Sequence, residues 1–119
     1  MAYVQSFGEG EVLSEHLFDA ATAVAGCSPA YVYMFIEAMA DAGVAEGLPR
    51  ASAYRMAAAA VAGSARMVLE TCQHPAALKD AVCSPAGTTI EGLRVLEEKG
   101  MRSAVIEGLL AAIEKAKRL

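Results

Sequence analysis

The sequence predicts an all-α fold of about six helices, two of them long. Alanine supplies 26 of the 119 residues, aromatic residues make up only 6%, and tryptophan is absent. Because alanine is the best helix former and buries little area, this composition favours closely packed helices. No run of alternating β-branched or aromatic residues is long enough to indicate a sheet. We expect one helical domain over residues 7–119, preceded by a linker or added residues at 1–6.

The charge balance argues against nucleic acid or a membrane as a partner. The net charge is −4 and the isoelectric point is about 5.1, whereas phosphate binding needs a clustered basic face. The only basic cluster, Lys115, Lys117 and Arg118, more simply complements a helix C-terminus. No stretch approaches the roughly 20 uninterrupted apolar residues of a membrane span, and no signal sequence opens the chain. These features predict a soluble, cytoplasmic protein.

The cysteines indicate neither a disulfide framework nor a metal site. Cys27, Cys72 and Cys83 are odd in number and widely spaced, which fits a reducing compartment. Cys72 and His74 lie two residues apart and would suit the start of a metal site. Because His16 and the other two cysteines would have to converge on that pair, no metal is expected.

The first helix is predicted over residues 15–24. Ser14 is a suitable N-cap, and Leu13 and Phe18 occupy the positions of a hydrophobic staple. The Gly-Cys-Ser-Pro run at 26–29 is predicted to break this helix.

The second helix is predicted to start at Pro29, with Ser28 as its N-cap, and to end near residue 46 before Gly47. Four of its apolar residues follow the spacing of a buried face: Val32, Phe35, Ile36 and Met39. Glu37 and Asp41 form an i,i+4 acidic pair. Because no histidine or third acid accompanies this pair, we interpret it as a solvated face rather than a carboxylate site.

The third helix is predicted to begin after Pro49 and to run over residues 50–72, a length of about 36 Å. Small residues at 57–60 and 62–65 surround it, which lets another helix approach closely. Both ends of such a helix would protrude from a compact monomer of this size. An interleaved dimer buries the helix better.

The last three helices are predicted over residues 75–82, 89–99 and 102–117. His74, directly before the first of them, is interpreted as a structural cap rather than a catalytic base. Gly100 separates the last two helices.

Residues 84–87, Ser-Pro-Ala-Gly, read as a tight turn in which Gly87 is free to take a positive φ. Thr88 suits a helix N-cap, and Glu91 completes a capping box three residues later. Hydroxyl groups, free amides and the helix dipole then make a site for a small anion such as a carboxylate. An ordinary capped helix start with no ligand remains the alternative.

Two segments together resemble one family. Residues 19–31 are similar to the family stretch D-A-x-T-A-x-S-G-S-G-P-A-Y, and residues 78–90 are similar to L-K-D-x-V-x-S-P-G-G-T-T-I. Residues 37–43 and 47–50 and the His-Pro pair at 74–75 also lie in the family register. The chain resembles the C-terminal dimerisation domain of pyrroline-5-carboxylate reductase, the last enzyme of proline biosynthesis, from about residue 7 to its end.

The resemblance implies an interleaved helical homodimer or a higher oligomer, as in the C-terminal domain of 6-phosphogluconate-dehydrogenase-like reductases. In the family, an N-terminal Rossmann domain binds NADPH or NADH, and hydride passes to the imine carbon of pyrroline-5-carboxylate. These 119 residues contain no strand–Gly-x-Gly-x-x-Gly–helix unit, so this chain alone is expected to bind no cofactor and to be inactive. It is interpreted as an excised domain or a free-standing relative. The alternative is a non-catalytic helical module for dimerisation or regulation.

The resemblance also implies the site residues. The substrate, pyrroline-5-carboxylate or proline, would be bound by Ser84, Gly87, Thr88 and Thr89. Thr89 would be catalytic, with its hydroxyl reaching the ring nitrogen. The nicotinamide end of the same cleft would be lined by Cys27, Ser28, Pro29 and Tyr31.

This chain departs from the family pattern in both segments. Ala25, Cys27 and Ser28 replace Ser, Ser and Gly, and Ala86 replaces the first glycine of the Gly-Gly pair. Ala86 is compatible with the loop only if its φ is negative. Cys27 precedes a predicted helix N-terminus and is either a reactive thiol or, as we prefer, a small buried residue.

Overall fold

The computed structural model describes residues 2–4, 11–14 and 17–119, and these are predominantly helical. The helices are α1 (Phe18–Thr22), α2 (Ser28–Ala45), α3 (Arg50–Thr71), α4 (Pro75–Ala81), α5 (Thr88–Glu98) and α6 (Met101–Lys117). Two three-residue strands, β1 (Ala2–Val4) and β2 (Glu11–Leu13), pair antiparallel with Ala2 opposite Leu13. The prediction of an all-α fold with two long helices is confirmed, with this short hairpin as an addition.

The described residues test only part of the prediction that Ser14 caps the first helix. The predicted first helical residues, Glu15 and His16, lie outside the described residues. The described helix begins at Phe18, and its N-cap, Leu17, makes no side-chain capping bond. The Leu17 amide donates to the Ser14 carbonyl oxygen at 3.0 Å.

The predicted break at residues 26–29 is wrong. α1 continues into α2 through a π-helical segment, Ala23–Cys27, in which the Ser28 amide donates to the carbonyl oxygen of Ala23. Ser28 has φ −57° and ψ −34°, so it is helical and not an N-cap. In a regular α-helix the Pro29 ring would clash with the carbonyl four residues earlier. A wide turn directly before the proline accommodates the ring, and the helix continues.

The continuous helical stretch Phe18–Ala45 is long and apolar enough to cross a membrane by length and composition. Its 28 residues include three acidic residues, Asp19, Glu37 and Asp41, and no basic residue. Core helices of soluble proteins satisfy the same criterion, so this finding is weak support for a membrane span. Only 11% of its most apolar window is buried within the described residues.

The chain divides into two compact units. In the first, α6 packs against α1 and the π segment, and Ala23 is buried with 2% of its surface exposed. The second unit covers residues 34–100, and its buried residues are Ala40, Ala53 and Ala57. The expectation of a single domain over residues 7–119 stays a prediction.

The turn between α2 and α3 closes as predicted. Gly47 has φ +108° and donates its amide to the Val44 carbonyl at 3.0 Å, while the Leu48 amide donates to the Gly43 carbonyl at 3.0 Å. These two bonds form a Schellman motif, in which the positive φ favours glycine. A Cβ at Gly43 would lie 2.9 Å from Leu48 Cδ1 and 3.7 Å from the Cβ of Ala53. α2 therefore ends in close contact with the turn and with α3.

We expect Gly43→Leu to lower the free energy of unfolding by about 1–3 kcal/mol, because a large side chain must displace Leu48 from its contact with α3. Urea denaturation followed by circular dichroism measures this loss. Gly92→Leu in α5 is the control, since a Cβ at Gly92 meets nothing within 4 Å. Equal stabilities of the two variants would contradict close packing at Gly43.

Asp41, one member of the acidic pair on α2, forms an ion pair at the same turn. The Asp41 carboxylate accepts a hydrogen bond from Arg50, and the guanidinium lies 5.6 Å from the ring centroid of Tyr54. The hydrogen bond to Asp41 raises the pKa of Arg50 above its usual value. Both charged groups are exposed, so the pair contributes little stability and agrees with the interpretation of a solvated face.

The apolar face predicted to be buried on α2 is not buried within this chain. Val32 and Phe35 keep 36% and 40% of their surface exposed, and Ile36 and Met39 are half-buried. In the described part of the chain, the only buried residues are the four alanines named above. The spacing identified an apolar face correctly, but the surface that covers this face is not supplied by these residues.

Candidate functional site

Residues 84–87 form the predicted turn, but with the positive φ at a different residue. The Gly87 amide donates to the Ser84 carbonyl oxygen at 3.1 Å, with Pro85 and Ala86 between them. Ala86 has φ +59°, which is the arrangement of a type II turn with proline at its second position. Gly87 has φ −82° and is extended. The condition that Ala86 keeps a negative φ is therefore not met, because the type II geometry assigns the positive φ to the third residue of the turn.

Gly87 is required for space rather than for its φ. A Cβ at this position would lie 2.5 Å from Ser84 Oγ and 3.2 Å from the Ser84 carbonyl oxygen. The first distance is shorter than real Cβ contacts, so any side chain here would displace the Ser84 hydroxyl. The glycine thus leaves room for that hydroxyl in its observed position.

The predicted capping box is wrong. α5 begins at Thr88, one residue earlier than predicted, and its N-cap is Gly87, which makes no side-chain bond. Glu91 instead accepts hydrogen bonds from Arg94, the shortest at 2.7 Å. These bonds lower the pKa of the Glu91 carboxyl below its usual value. A charged partner three residues away competes better for this carboxylate than a neutral backbone amide does.

The loss of the capping box leaves the polar groups of the loop available. Ser84, Thr88 and Thr89 are exposed, and none of their hydroxyl groups hydrogen-bonds to another residue within the described ranges. The amides of Thr88 and Thr89 are among the first of the helix, which have no intrahelical acceptor. The turn and the first turn of α5 therefore carry hydroxyl groups, free amides and the positive helix end, which are features that suit a small carboxylate. The four residues predicted to bind substrate do lie together on this loop.

The residues predicted to lie near nicotinamide are placed around the π segment. Cys27 is its last residue, and Cys27 and Ser28 are half-buried. Pro29 and Tyr31 follow on the first turn of α2 and are exposed. These four residues and the 84–89 loop belong to different compact units. Their position beside a nicotinamide ring stays a prediction.

His74 acts as the predicted structural cap. It is the N-cap of α4, and its Nδ1 atom accepts a hydrogen bond from the Ala76 amide at 3.0 Å. Cys72 ends α3 in the left-handed region, with φ +56°. Across the described residues, which do not include His16, no group of three or more His, Cys, Asp or Glu side chains could hold a metal ion.

A groove between α3 and α4 was missed by the sequence reasoning. It has a volume of about 340 Å³. Its apolar lining consists of Met67, Val68, Pro75, Leu78 and Val82. The available signal for an apolar face was the i,i+4 pair formed by Leu78 on α4 and Val82 at the C-cap of that helix. The groove is an apolar surface that a partner could cover.

A model of the family described as pyrroline-5-carboxylate reductase dimerisation matches residues 15–119. The pyrroline-5-carboxylate reductase of Escherichia coli (strain K12) is 63% identical over 113 residues, covering 95% of this chain and 42% of that protein. The enzyme of the same name from Synechocystis is 48% identical over 118 residues, covering 99% of this chain and 44% of that protein. The chain therefore spans less than half the length of the curated relatives that it matches.

Solved structures of similarly named proteins share the fold. The 1-pyrroline-5-carboxylate reductase of Streptococcus pyogenes is 46% identical with a TM-score of 0.90, covering 96% of this chain and 44% of that one. A pyrroline carboxylate reductase of Plasmodium falciparum, solved with NADP bound, is 42% identical with a TM-score of 0.85. The match covers 89% of this chain and 40% of the Plasmodium chain.

Proposed function

Because the chain belongs to the pyrroline-5-carboxylate reductase family through its dimerisation domain, we propose that it is the dimerisation and substrate-binding part of such an enzyme. The enzyme would reduce 1-pyrroline-5-carboxylate to L-proline with NADPH or NADH. The observation that supports this best is the 84–89 loop, where Ser84 precedes the N-terminus of α5, Thr88 and Thr89 begin the helix, and their three hydroxyl groups are exposed. The net charge of −4 and the position of the basic cluster at the C-terminus of α6 support a cytoplasmic enzyme with no nucleic-acid or membrane partner.

The loop would bind the substrate through its carboxylate. The Ser84 hydroxyl and the amides of Thr88 and Thr89 donate to the carboxylate oxygens, in the field of the α5 dipole. A carboxylate fixed in this way orients the five-membered ring for attack at its imine carbon. Gly87 leaves room for the Ser84 hydroxyl, since a Cβ at this position would displace it.

Thr89 would act at the ring nitrogen. When the imine carbon gains a hydride, the nitrogen gains an electron pair and must take up a proton. The Thr89 hydroxyl, one residue beyond the first helical position, would donate a hydrogen bond to this nitrogen and relay the proton from solvent. The nicotinamide cofactor supplies the hydride when bound. Because the chain carries no Gly-x-Gly-x-x-Gly unit, we assign the cofactor's pyrophosphate site to another part of the enzyme and place only Cys27, Ser28, Pro29 and Tyr31 beside the nicotinamide.

The partner we propose is a second copy of the chain, with α3 interleaved between the two copies. α3 has 22 residues, of which only Ala53 and Ala57 are buried. Its exposed small residues permit close helix contact. The groove next to α4 and the half-exposed face of α2 offer further apolar area. A second copy would cover the apolar residues that one chain leaves exposed.

A non-catalytic dimerisation or regulatory module is the second candidate. It is favoured by Ala25, which lacks the hydroxyl of the family pattern, and by Ala86, which occupies a left-handed position without being glycine. Ser84, Thr88 and Thr89, all kept at the loop, favour the reductase instead.

Titration of the chain with L-proline distinguishes the two candidates. We expect the amide resonances of Ser84, Thr88 and Thr89 to shift at millimolar proline. The reason is that the carboxylate would accept hydrogen bonds from the Ser84 hydroxyl and from the amides of Thr88 and Thr89. Prolinamide, which has the same ring without the carboxylate, is the control and should leave them unchanged. A dimer by light scattering whose loop resonances do not respond to proline would reject the reductase site and favour the non-catalytic module.

A further inference from the structure

The groove between α3 and α4 is one part of a longer trough that follows α3. Two further apolar depressions, of about 200 Å³ and 180 Å³, lie between α2 and α3. Ser64 lines both the groove and the first depression, and Met39 lines both depressions. The three cavities therefore adjoin one another. All of them lie within the compact unit of residues 34–100.

One face of α3 forms the floor of this trough. Its floor residues follow one another at intervals of three or four positions, as a single helical face requires: Ala53, Ala57, Ala60, Ser64 and Val68. This face extends over about 22 Å. Larger side chains of α2 line the first half of the trough and those of α4 line the second half. A floor of small residues between larger ones leaves a depression suited to another helix.

The chain exposes more surface than a folded monomer of its size. A compact protein of 12.4 kDa exposes roughly 6,100 Å², whereas this chain exposes 8852 Å². The excess of about 2,700 Å² is larger than the roughly 800 Å² that each partner buries in a standard interface, and it suits a permanent dimer. The area therefore favours a second copy of the chain as the cover of the trough.

Among the described helices, α6 has the length that the trough requires. Its 17 residues extend over about 25 Å, whereas the 11 residues of α5 reach only about 16 Å. The other two long helices, α2 and α3, already form a wall and the floor of the trough.

α6 also has an apolar stripe that its own chain leaves uncovered. Within the chain, α6 packs against α1 and the π segment, yet Ile106 and Leu110 keep 57% and 53% of their surface exposed. Leu109 and Ile113 are half-buried beside them. The positions 106, 109, 110 and 113 have the i, i+3, i+4, i+7 spacing of a helix that lies in an apolar groove.

We propose that α6 of a second copy lies in the trough along α3, with Ile106 and Leu110 against the alanine floor. This inference rests on the proposed homodimer and names two surfaces that form it. Two-fold symmetry places the α6 of each copy in the trough of the other. The dimer then contains two equivalent contacts, each made by the trough of one chain and the helix of its partner.

Two variants each remove one side of this contact. Ser64→Trp fills the trough, and the indole has room in a single chain because Ser64 is exposed. Ile106→Asp combined with Leu110→Asp places charges on the stripe, and the trough offers them an apolar surface. Both contacts of each homodimer are damaged, so we expect the dimer dissociation constant to rise by about 100-fold or more. Light scattering over a range of concentrations measures the change.

Ala104→Asp combined with Ala111→Asp is the matched control for the stripe. These two residues are also exposed on α6, but they lie outside the stripe, and the added charge is the same. The control should keep the dimer. An equal loss in the control would show that the added charge alone disrupts the dimer, and would overturn the inference.

Mixing the trough variant with the stripe variant tests whether the two surfaces meet. In a heterodimer, the intact α6 of the first chain faces the intact trough of the second, so one of the two contacts is undamaged. We expect an equimolar mixture, refolded together from urea, to form heterodimers with a dissociation constant at least about 10-fold below that of either variant alone. Native mass spectrometry separates the three dimers by mass. Refolding the two chains together also tests a variant that does not fold alone.

Three results would overturn the inference. A Ser64→Trp chain that stays fully dimeric would show that the trough is not occupied. If both variants are monomeric and their mixture forms no heterodimer, α6 and the trough do not contact each other, and the proposed homodimer stands. A monomeric wild-type chain would reject both the inference and the proposed homodimer, whereas the proline titration tests the 84–89 loop separately.

Discussion

Thr89→Val is expected to lower kcat by about 100-fold, the lower end of the range for losing a group that delivers a proton in the transition state. Valine has nearly the shape of threonine, and the Thr89 amide that we assign to carboxylate binding remains. KM should therefore change little, since the interaction that is lost forms mainly as the ring nitrogen gains its electron pair.

The assay for Thr89 uses a complete enzyme. Residues 7–119 replace the matching segment of the Escherichia coli reductase, which is 63% identical, and reduction of pyrroline-5-carboxylate is followed by cofactor absorbance. Thr88→Val in the same chimera is the control, because we give the Thr88 hydroxyl no role at the nitrogen. That variant should lower kcat far less than Thr89→Val does. Full turnover in Thr89→Val would remove Thr89 from the mechanism.

Leucine at both Ala58 and Ala62 is expected to weaken the homodimer by about 100-fold or more. The two residues lie one helical turn apart on α3 and are exposed in the single chain, so the substitutions leave the packing within one chain largely intact. In a closely packed helix interface each added side chain costs about 1–3 kcal/mol, and roughly 2.7 kcal/mol corresponds to a 100-fold change in the dissociation constant.

Light scattering of the double variant measures this effect as a fall from dimer to monomer mass. Serine at the same two positions is the control, because it keeps the side chains small and should keep the dimer. A double leucine variant with an unchanged mass would exclude this face of α3 from the interface.

Sequence reasoning located the helices where single residues mark their ends. Pro49 and the turn after Thr71 bracket α3 to within one residue of the prediction, because proline cannot continue a helix from the preceding turn. Gly47 ends α2 with the positive φ expected of it. At Pro29 the same logic failed, because a proline inside a helix is compatible with a π turn whose formation depends on the wider packing.

The 84–89 loop shows a similar limit for the candidate site. Its residues and its turn were predictable from proline, glycine and the two threonines. The residue with the positive φ was not predictable, because it depends on the turn type. The local sequence is compatible with a positive φ at either Ala86 or Gly87. The partner of Glu91 was also unpredictable, because a nearby Arg94 and the helix N-terminus both attract a carboxylate. Burial of the apolar faces was also unpredictable, because the described residues of a single chain leave those faces largely exposed.

Among the residues that the structure describes, very few side chains are buried, and this has a consequence for how the protein denatures. Four buried alanines supply very little of the hydrophobic free energy that offsets chain entropy. If most apolar burial occurs between copies, folding and association form one equilibrium governed by mass action. The unfolding midpoint should then rise with protein concentration. The apparent free energy of unfolding should increase by about 1.4 kcal/mol for each tenfold increase in concentration. The cellular abundance of the protein would in that way set how much of it is folded.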